Sequence, residues 1–138
     1  MSPLASLVGF ALWALFLVTL LAGVRAFLVL TKKKRAGDFP AGVQHGGDAY
    51  WRLNRAHLNT LENLPIFGAL VLAGVALHVQ SPLFRTLPQV ILVARIVQSL
   101  VHLSSAKALA INLRFTAFAV QVASMIVLAV ELLRVALH

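Results

Sequence analysis

Near the middle of the chain, five polar residues recur at helical spacing: Arg52, Arg55, Asn59, Glu62 and Asn63. At about 3.6 residues per turn, this spacing places all five on one face of an α-helix. Two arginines against one glutamate leave a surplus of positive charge. A guanidinium binds a carboxylate through two parallel hydrogen bonds, and nearby cations stabilise an ionised thiol. The pattern therefore predicts a site for a small anion, with carboxylates or a thiolate.

Two later stretches carry further polar residues at helical spacing. On the first, four residues share one helical face: Arg95, Gln98, Ser99 and His102. On the next, Arg114 and Gln121 share a face. If these stretches are consecutive membrane helices, the start of the second helix, the end of the third and the start of the fourth lie at one membrane side. We therefore expect Arg52, Arg55, Arg95 and Arg114 to surround one electropositive pocket.

The composition excludes several classes of protein. Of 138 residues, 60% are hydrophobic and only 12% are charged, whereas a soluble domain is about half apolar and about a quarter charged. A membrane protein explains the net charge of +8 through topology and lipid headgroups, so no nucleic-acid partner is predicted. The chain has no cysteine, so any thiol must belong to a ligand. The histidine spacing does not favour a metal site.

The apolar runs predict one all-α domain of four membrane-spanning helices, at about residues 4–30, 49–79, 88–105 and 113–135. The runs are long enough to cross a bilayer and do not alternate as strands do. Asp48 is the expected N-cap of the second helix, and Pro65 lies inside that helix.

Loop charges predict the orientation. The first and third loops share a side of the membrane and hold six cationic residues: Lys32, Lys33, Lys34, Arg35, Lys107 and, at the boundary, Arg114. The other side holds only Arg85 and Arg134. The positive-inside rule then places loops 1 and 3 in the cytoplasm and both termini outside. A multi-pass protein of a bacterial inner membrane is expected.

The segment from Arg52 to Phe67 reads R-x-x-R-A-H-x-N-x-x-E-N-x-P-x-F. It resembles the signature of membrane-associated proteins in eicosanoid and glutathione metabolism, in the bacterial branch of that family. The preceding His45-Gly46-Gly47 agrees with this resemblance. It implies a homotrimer of four-helix subunits that binds glutathione, as a co-substrate, between neighbouring subunits near the cytosolic face.

Positions that match the family pattern imply individual roles. The resemblance implies that glutathione contacts five residues of the second and third helices: Arg52, Arg55, Asn59, Glu62 and Arg95. His102 stands where the family often has tyrosine, and a histidine still offers a hydrogen bond to glutathione. Arg114 matches the arginine proposed to activate the thiolate. Phe115 and Phe118 stand where some eicosanoid-synthesising members have serine and tyrosine, which argues against prostaglandin or leukotriene synthesis.

Three functions remain open from the sequence. The first is a glutathione-dependent transferase or peroxidase, whose lipophilic substrate enters from lipid between the first and fourth helices, against Phe115 and Phe118. The second is a non-catalytic glutathione- or lipid-binding protein with a structural polar core, and the third is a small transporter. Two residues have an alternative to ligand binding. Arg95 could form a structural ion pair with Glu62. Arg114 could reach the lipid headgroups.

Overall fold

The computed structural model describes residues 1–40, 42–104 and 108–137. These residues form four helices: α1 (Pro3–Leu30), α2 (Asp48–Ala76), α3 (Pro82–Ser104) and α4 (Ala108–Ala136). All four are long and apolar enough to cross a membrane. The predicted fold, an all-α membrane protein with four spanning helices, is confirmed.

The third helix begins earlier than the apolar run alone indicates. It starts at Pro82, not at Pro88, because the Ser81 hydroxyl accepts a hydrogen bond from the Phe84 backbone N–H at 3.0 Å. A serine cap followed by proline in the first turn is a favourable helix start. Pro88 lies buried inside α3.

Other helix ends differ by smaller amounts. Gly47, not Asp48, is the N-cap of α2, and Asp48 is the first helical residue, where its charge favours the helix dipole. The second helix ends at Ala76 and the fourth begins at Ala108, against the expected 79 and 113. Ser105 and Lys107, assigned to the end of the third helix and to the third loop, lie outside the described residues.

The helices pack around a central pair. The two central helices, α2 and α3, contact each other, and each also contacts both α1 and α4. Among the described residues, α1 and α4 do not contact each other. The core of this arrangement is apolar and fully buried, with Phe10 from α1, Phe67 and Val71 from α2, Ile91 from α3 and Leu128 from α4.

The two ends of the bundle are named here by their connections. Residues 31–47 join α1 to α2 at the loop 1 end, where α4 also begins. Residues 77–81 join α2 to α3 at the loop 2 end. There, Gly74 lets the Phe84 ring pack directly against the α2 backbone, and a Cβ at position 74 would overlap that ring.

Large apolar side chains cover the outside of the bundle. Leu12, Phe16, Ile126 and Leu133 are each more than half exposed. Exposed apolar surface on this scale is unfavourable in water and favourable against lipid tails. The outer faces therefore agree with an integral membrane protein that spans the bilayer several times.

Candidate functional site

A groove at the loop 1 end brings together polar residues from three helices. Its volume is about 340 Å³, and it is lined by Asn59, Glu62, Asn63, Gln98, His102, Arg114, Phe115 and Phe118. That volume lies at the lower end of the range for small-molecule sites. Four sequence-predicted site residues line it together: Asn59, Glu62, His102 and Arg114. The middle of α2, the C-terminal part of α3 and the N-terminal part of α4 thus meet in one groove.

The α2 wall follows from helical spacing. Glu62 and Asn63 each lie about one turn after Asn59, and the Asn63 amide donates to the Asn59 carbonyl at 3.4 Å. Glu62 is exposed and Asn59 is half-buried. The opposite face of α2 is buried against the bundle through Tyr50, Leu53 and other residues. The motif face of α2 is therefore open to a ligand.

Arg114 and His102 join α4 to α3 across the groove. Arg114 Nη1 lies 3.1 Å from His102 Nδ1. Both side chains are half-buried. A guanidinium and an imidazole thus stand side by side at the wall opposite Glu62.

Arg52 and Arg55 lie beside the groove and do not line it. Arg55 is exposed, and Arg52 is half-buried, with its Nε buried and without a hydrogen-bond partner among the described residues. The charges of Arg52, Arg55 and Arg114 all act on the His102 ring. Three arginines therefore produce a positive potential at this end of the groove.

Arg95 lies behind the groove, in the interior of the bundle. It is 1% exposed, and its guanidinium carbon lies 5.7 Å from the centre of the Phe10 ring. Its Nε and Nη2 have no hydrogen-bond partner among the described residues, so neither atom bonds to the Glu62 carboxylate. The structure does not bring Arg95 to the open surface with Arg52 and Arg55, and its role in binding stays a prediction.

A polar layer surrounds Arg95 inside the bundle. The Ser99 hydroxyl donates a hydrogen bond to the Arg95 carbonyl at 2.9 Å. The same hydroxyl accepts a hydrogen bond from Trp13 Nε1 at 3.2 Å. Gln121 Nε2 donates to Gln98 Oε1 at 3.0 Å, while Gln121 Oε1 is buried without a partner among the described residues. The layer joins α1, α3 and α4 directly below the groove.

The sequence reasoning missed a second cluster at the same end. Arg25 Nε donates to the Tyr50 hydroxyl at 2.7 Å, and His45 Nε2 lies 3.3 Å from the same oxygen. The Arg25 guanidinium also lies over the Phe39 ring, 5.5 Å from its centre. The available sequence signal was Arg25 at the end of an apolar run, followed along the chain by His45 in a turn and then by Tyr50. The cluster fastens the first loop to α1 and α2.

Within the described residues, no group of three or more His, Asp or Glu side chains is placed to hold a metal ion. The groove itself offers guanidinium, imidazole, carboxylate and amide groups beside two aromatic rings. Such a set can bind a zwitterionic or anionic molecule at one end and an apolar molecule at the other.

Comparison with models of protein families identifies a family for this chain. The family model described as MAPEG family matches residues 6–134. The matched range covers nearly the whole chain and includes every residue of the groove. No curated protein matches the chain.

Proposed function

Because the chain belongs to the MAPEG family, we propose that it is a membrane enzyme that uses glutathione as a co-substrate. It transfers the glutathione thiolate to lipophilic electrophiles, or uses that thiolate to reduce lipophilic hydroperoxides. The observation that carries this proposal is the groove in which Arg114 and His102 face Glu62 and Asn59, with Phe115 and Phe118 at its edge.

The groove and its surroundings are complementary to glutathione, which has two carboxylates, one ammonium group and one thiol. Arg52 and Arg55 supply guanidinium groups for the carboxylates. Glu62 accepts from the ammonium group, and Asn59 bonds to a peptide group of the ligand. Arg95 adds positive charge from behind, and charge in a water-poor interior acts over several ångströms.

Arg114 is the proposed thiol-activating residue. A guanidinium stays protonated and stabilises a thiolate beside it, so the thiol proton is released and the sulfur becomes nucleophilic. In transfer, the sulfur forms a bond to an electrophilic carbon, and either a leaving group such as halide departs with its electron pair or a π bond opens and the resulting carbanion takes a proton. In peroxide reduction, it attacks the terminal oxygen, the O–O bond breaks, and the alkoxide takes a proton. A second glutathione then reduces the sulfenic acid, releasing water and glutathione disulfide.

The second substrate is proposed to come from the membrane. Phe115 is 71% exposed and Phe118 is 41% exposed, so both rings offer apolar contact at the groove. Because α1 and α4 of one chain do not contact each other within the part of the chain that the structure describes, a route between a first and a fourth helix requires a neighbouring copy. We propose the homotrimer, in which that copy also covers Arg55 and Glu62, whose exposure to lipid would be costly.

The proposed location is a bacterial inner membrane with loops 1 and 3 in the cytoplasm. Four consecutive cationic residues, Lys32 to Arg35, lie in the first loop. The opposite side of the membrane holds Arg85 and Arg134. Glutathione would then reach the groove from the cytoplasm, at the loop 1 end.

The test uses the purified protein in lipid nanodiscs. Glutathione binding is measured by calorimetry, thiolate by its ultraviolet absorbance, and conjugation with a model aryl halide. In Arg114→Ala we expect binding to persist, while thiolate formation and conjugation fall by roughly 100-fold, as for removal of one preorganised donor. Arg134→Ala, on the same helix at the far end, is the matched control and should behave as wild type.

A non-catalytic binding protein is the first alternative, and the same test decides it. If the wild-type protein binds glutathione and never forms thiolate, it is a non-catalytic binding protein and the enzyme proposal is rejected.

A transporter needs a polar path through the membrane. The rings of Phe10 and Phe67 pack against each other, with their centres 5.2 Å apart. They fill the bundle below the polar layer, which argues against such a polar path.

A further inference from the structure

The hydrogen bond between Arg114 and His102 specifies the protonation state of the histidine. A guanidinium carries only donors. Because Arg114 Nη1 lies 3.1 Å from His102 Nδ1, Nδ1 must be the acceptor and carry no hydrogen. The ring is then neutral, and its single proton is on Nε2.

We propose that neutral His102 is a positioning residue, which holds the Arg114 guanidinium in the groove by accepting its Nη1–H. The inference rests on the proposed function. It adds that His102 is not the base that takes the thiol proton, because its lone pair is engaged by Arg114. The thiol proton is therefore released to solvent, and the thiolate is stabilised by charge alone.

Arg114 needs such a partner because of its place in the fold. It lies in the second turn of α4, which begins at Ala108, between the exposed side chains of Leu113 and Phe115. An arginine near the end of a membrane helix otherwise extends toward the headgroups, and it has several rotatable bonds to order. The imidazole of α3 provides a fixed acceptor that keeps the guanidinium beside the groove.

The same geometry makes the arrangement sensitive to acid. Protonation of His102 places a hydrogen on both ring nitrogens, so Nδ1 no longer accepts and the imidazolium repels Arg114. The other charged groups near the ring are Arg52 and Arg55 of α2, which add repulsion, and Glu62 across the groove. Protonation of His102 should therefore release Arg114, and the charges of the neighbouring arginines oppose that protonation.

Two substitutions separate positioning from simple packing. His102→Gln keeps an acceptor, the amide oxygen, and does not titrate, whereas His102→Phe keeps a ring and has no acceptor. In His102→Phe we expect thiolate at saturating glutathione to fall roughly tenfold, as for loss of one hydrogen bond to a charged group. His102→Gln should restore most of it. His78→Asn, at the loop 2 end, is the control, because asparagine tolerates its positive φ of 54°.

The pH at which half of the bound glutathione is thiolate gives a second readout. In His102→Phe this midpoint should rise by about one pH unit, which corresponds to the tenfold loss of thiolate. In His102→Gln and in the His78→Asn control it should stay near the wild-type value. A wild-type midpoint in His102→Phe, or the same rise in His102→Gln, would overturn the proposal.

A spectroscopic measurement tests His102 independently of glutathione. In protein labelled with nitrogen-15 histidine, NMR at neutral pH should show His102 with its proton on Nε2, and Arg114→Ala should shift it toward a mixture of tautomers. A proton on Nδ1, or an imidazolium, contradicts the proposal. If no thiolate forms in the wild type, the proposed function fails, and this spectrum still decides the role of His102.

Discussion

The two ends of the bundle are built on different principles. At the loop 2 end, α2 and α3 approach so closely that the Phe84 ring rests on Gly74, and buried apolar residues such as Phe67 and Val71 fill the space between helices. At the loop 1 end, buried polar atoms of Arg52, Arg95 and Gln121 have no hydrogen-bond partner among the described residues. At the loop 2 end, Glu131 Oε2 alone is in that state among the described residues. That end depends mainly on packing, although a cavity of about 510 Å³ opens beside Gly74 and Phe84. The loop 1 end therefore holds most of the unpartnered polar atoms.

This difference separates stability from ligand recognition. Buried donors and acceptors without partners cost free energy, and a membrane offers no water at depth to satisfy them. The loop 1 end carries most of that cost, whereas the close packing at the loop 2 end provides van der Waals contact, which drives helix association in lipid. Substitutions at the loop 2 end should mainly change stability, and those near the groove should mainly change ligand binding.

The largest effect on stability is expected from Phe67→Ala. This substitution leaves a cavity beside Phe10 in the fully buried core, so the free energy of unfolding should fall by about 3–5 kcal/mol. Reversible unfolding in mixed micelles measures it. The control Phe16→Ala removes a ring that is 52% exposed, and it should cost less than about 1 kcal/mol. Equal losses in both variants would show that the packed core does not dominate stability.

Gly74→Ala should have the next largest effect. Its Cβ would overlap the Phe84 ring, and the overpacking should cost about 1–3 kcal/mol of unfolding free energy. Shortening the partner in the double variant with Phe84→Leu should recover part of this loss. Gly23→Ala has open space around its Cβ and should be neutral. An unchanged unfolding free energy in Gly74→Ala would mean that the α2–α3 contact adjusts to the added methyl group at little cost.

A smaller effect is expected from Tyr50→Phe. The substitution removes the hydroxyl that bonds to Arg25 and His45 and keeps the ring, so the loss should be about 1 kcal/mol. Proteolysis of the first loop, monitored by mass spectrometry, should become faster because that loop is less firmly attached. Unchanged proteolysis would show that the apolar contacts of Phe39 hold the loop without the hydrogen bonds.

The smallest change in stability is expected from Arg95→Met. Two of its guanidinium nitrogens have no partner among the described residues, and replacing such a buried cation with an apolar side chain should change the unfolding free energy by less than about 1 kcal/mol, or raise it. Glutathione affinity should fall roughly tenfold, the loss of about one favourable charge interaction. A loss of several kcal/mol without a change in affinity would instead make Arg95 a structural residue.

Much of the candidate site was predictable from spacing. Asn59 and Glu62 lie one turn apart, and the order of the helices places His102 and Arg114 at the same end as both. The motif from Arg52 to Phe67 indicated the family, which the match over residues 6–134 confirms. The start of α3 was less predictable, because Pro88 suggested a helix start while the cap at Ser81 makes the earlier one favourable.

The sequence alone determines the number of spans and their apolar surfaces, because a backbone in lipid must form its hydrogen bonds within helices. It also determines the helix face on which each polar side chain lies, because the helical repeat fixes the angle between successive residues. It is not sufficient for the rotation of one helix against the next. That rotation, set by close packing of side chains such as Phe10 against Arg95, is what buries Arg95 and brings Arg114 within hydrogen-bonding distance of His102.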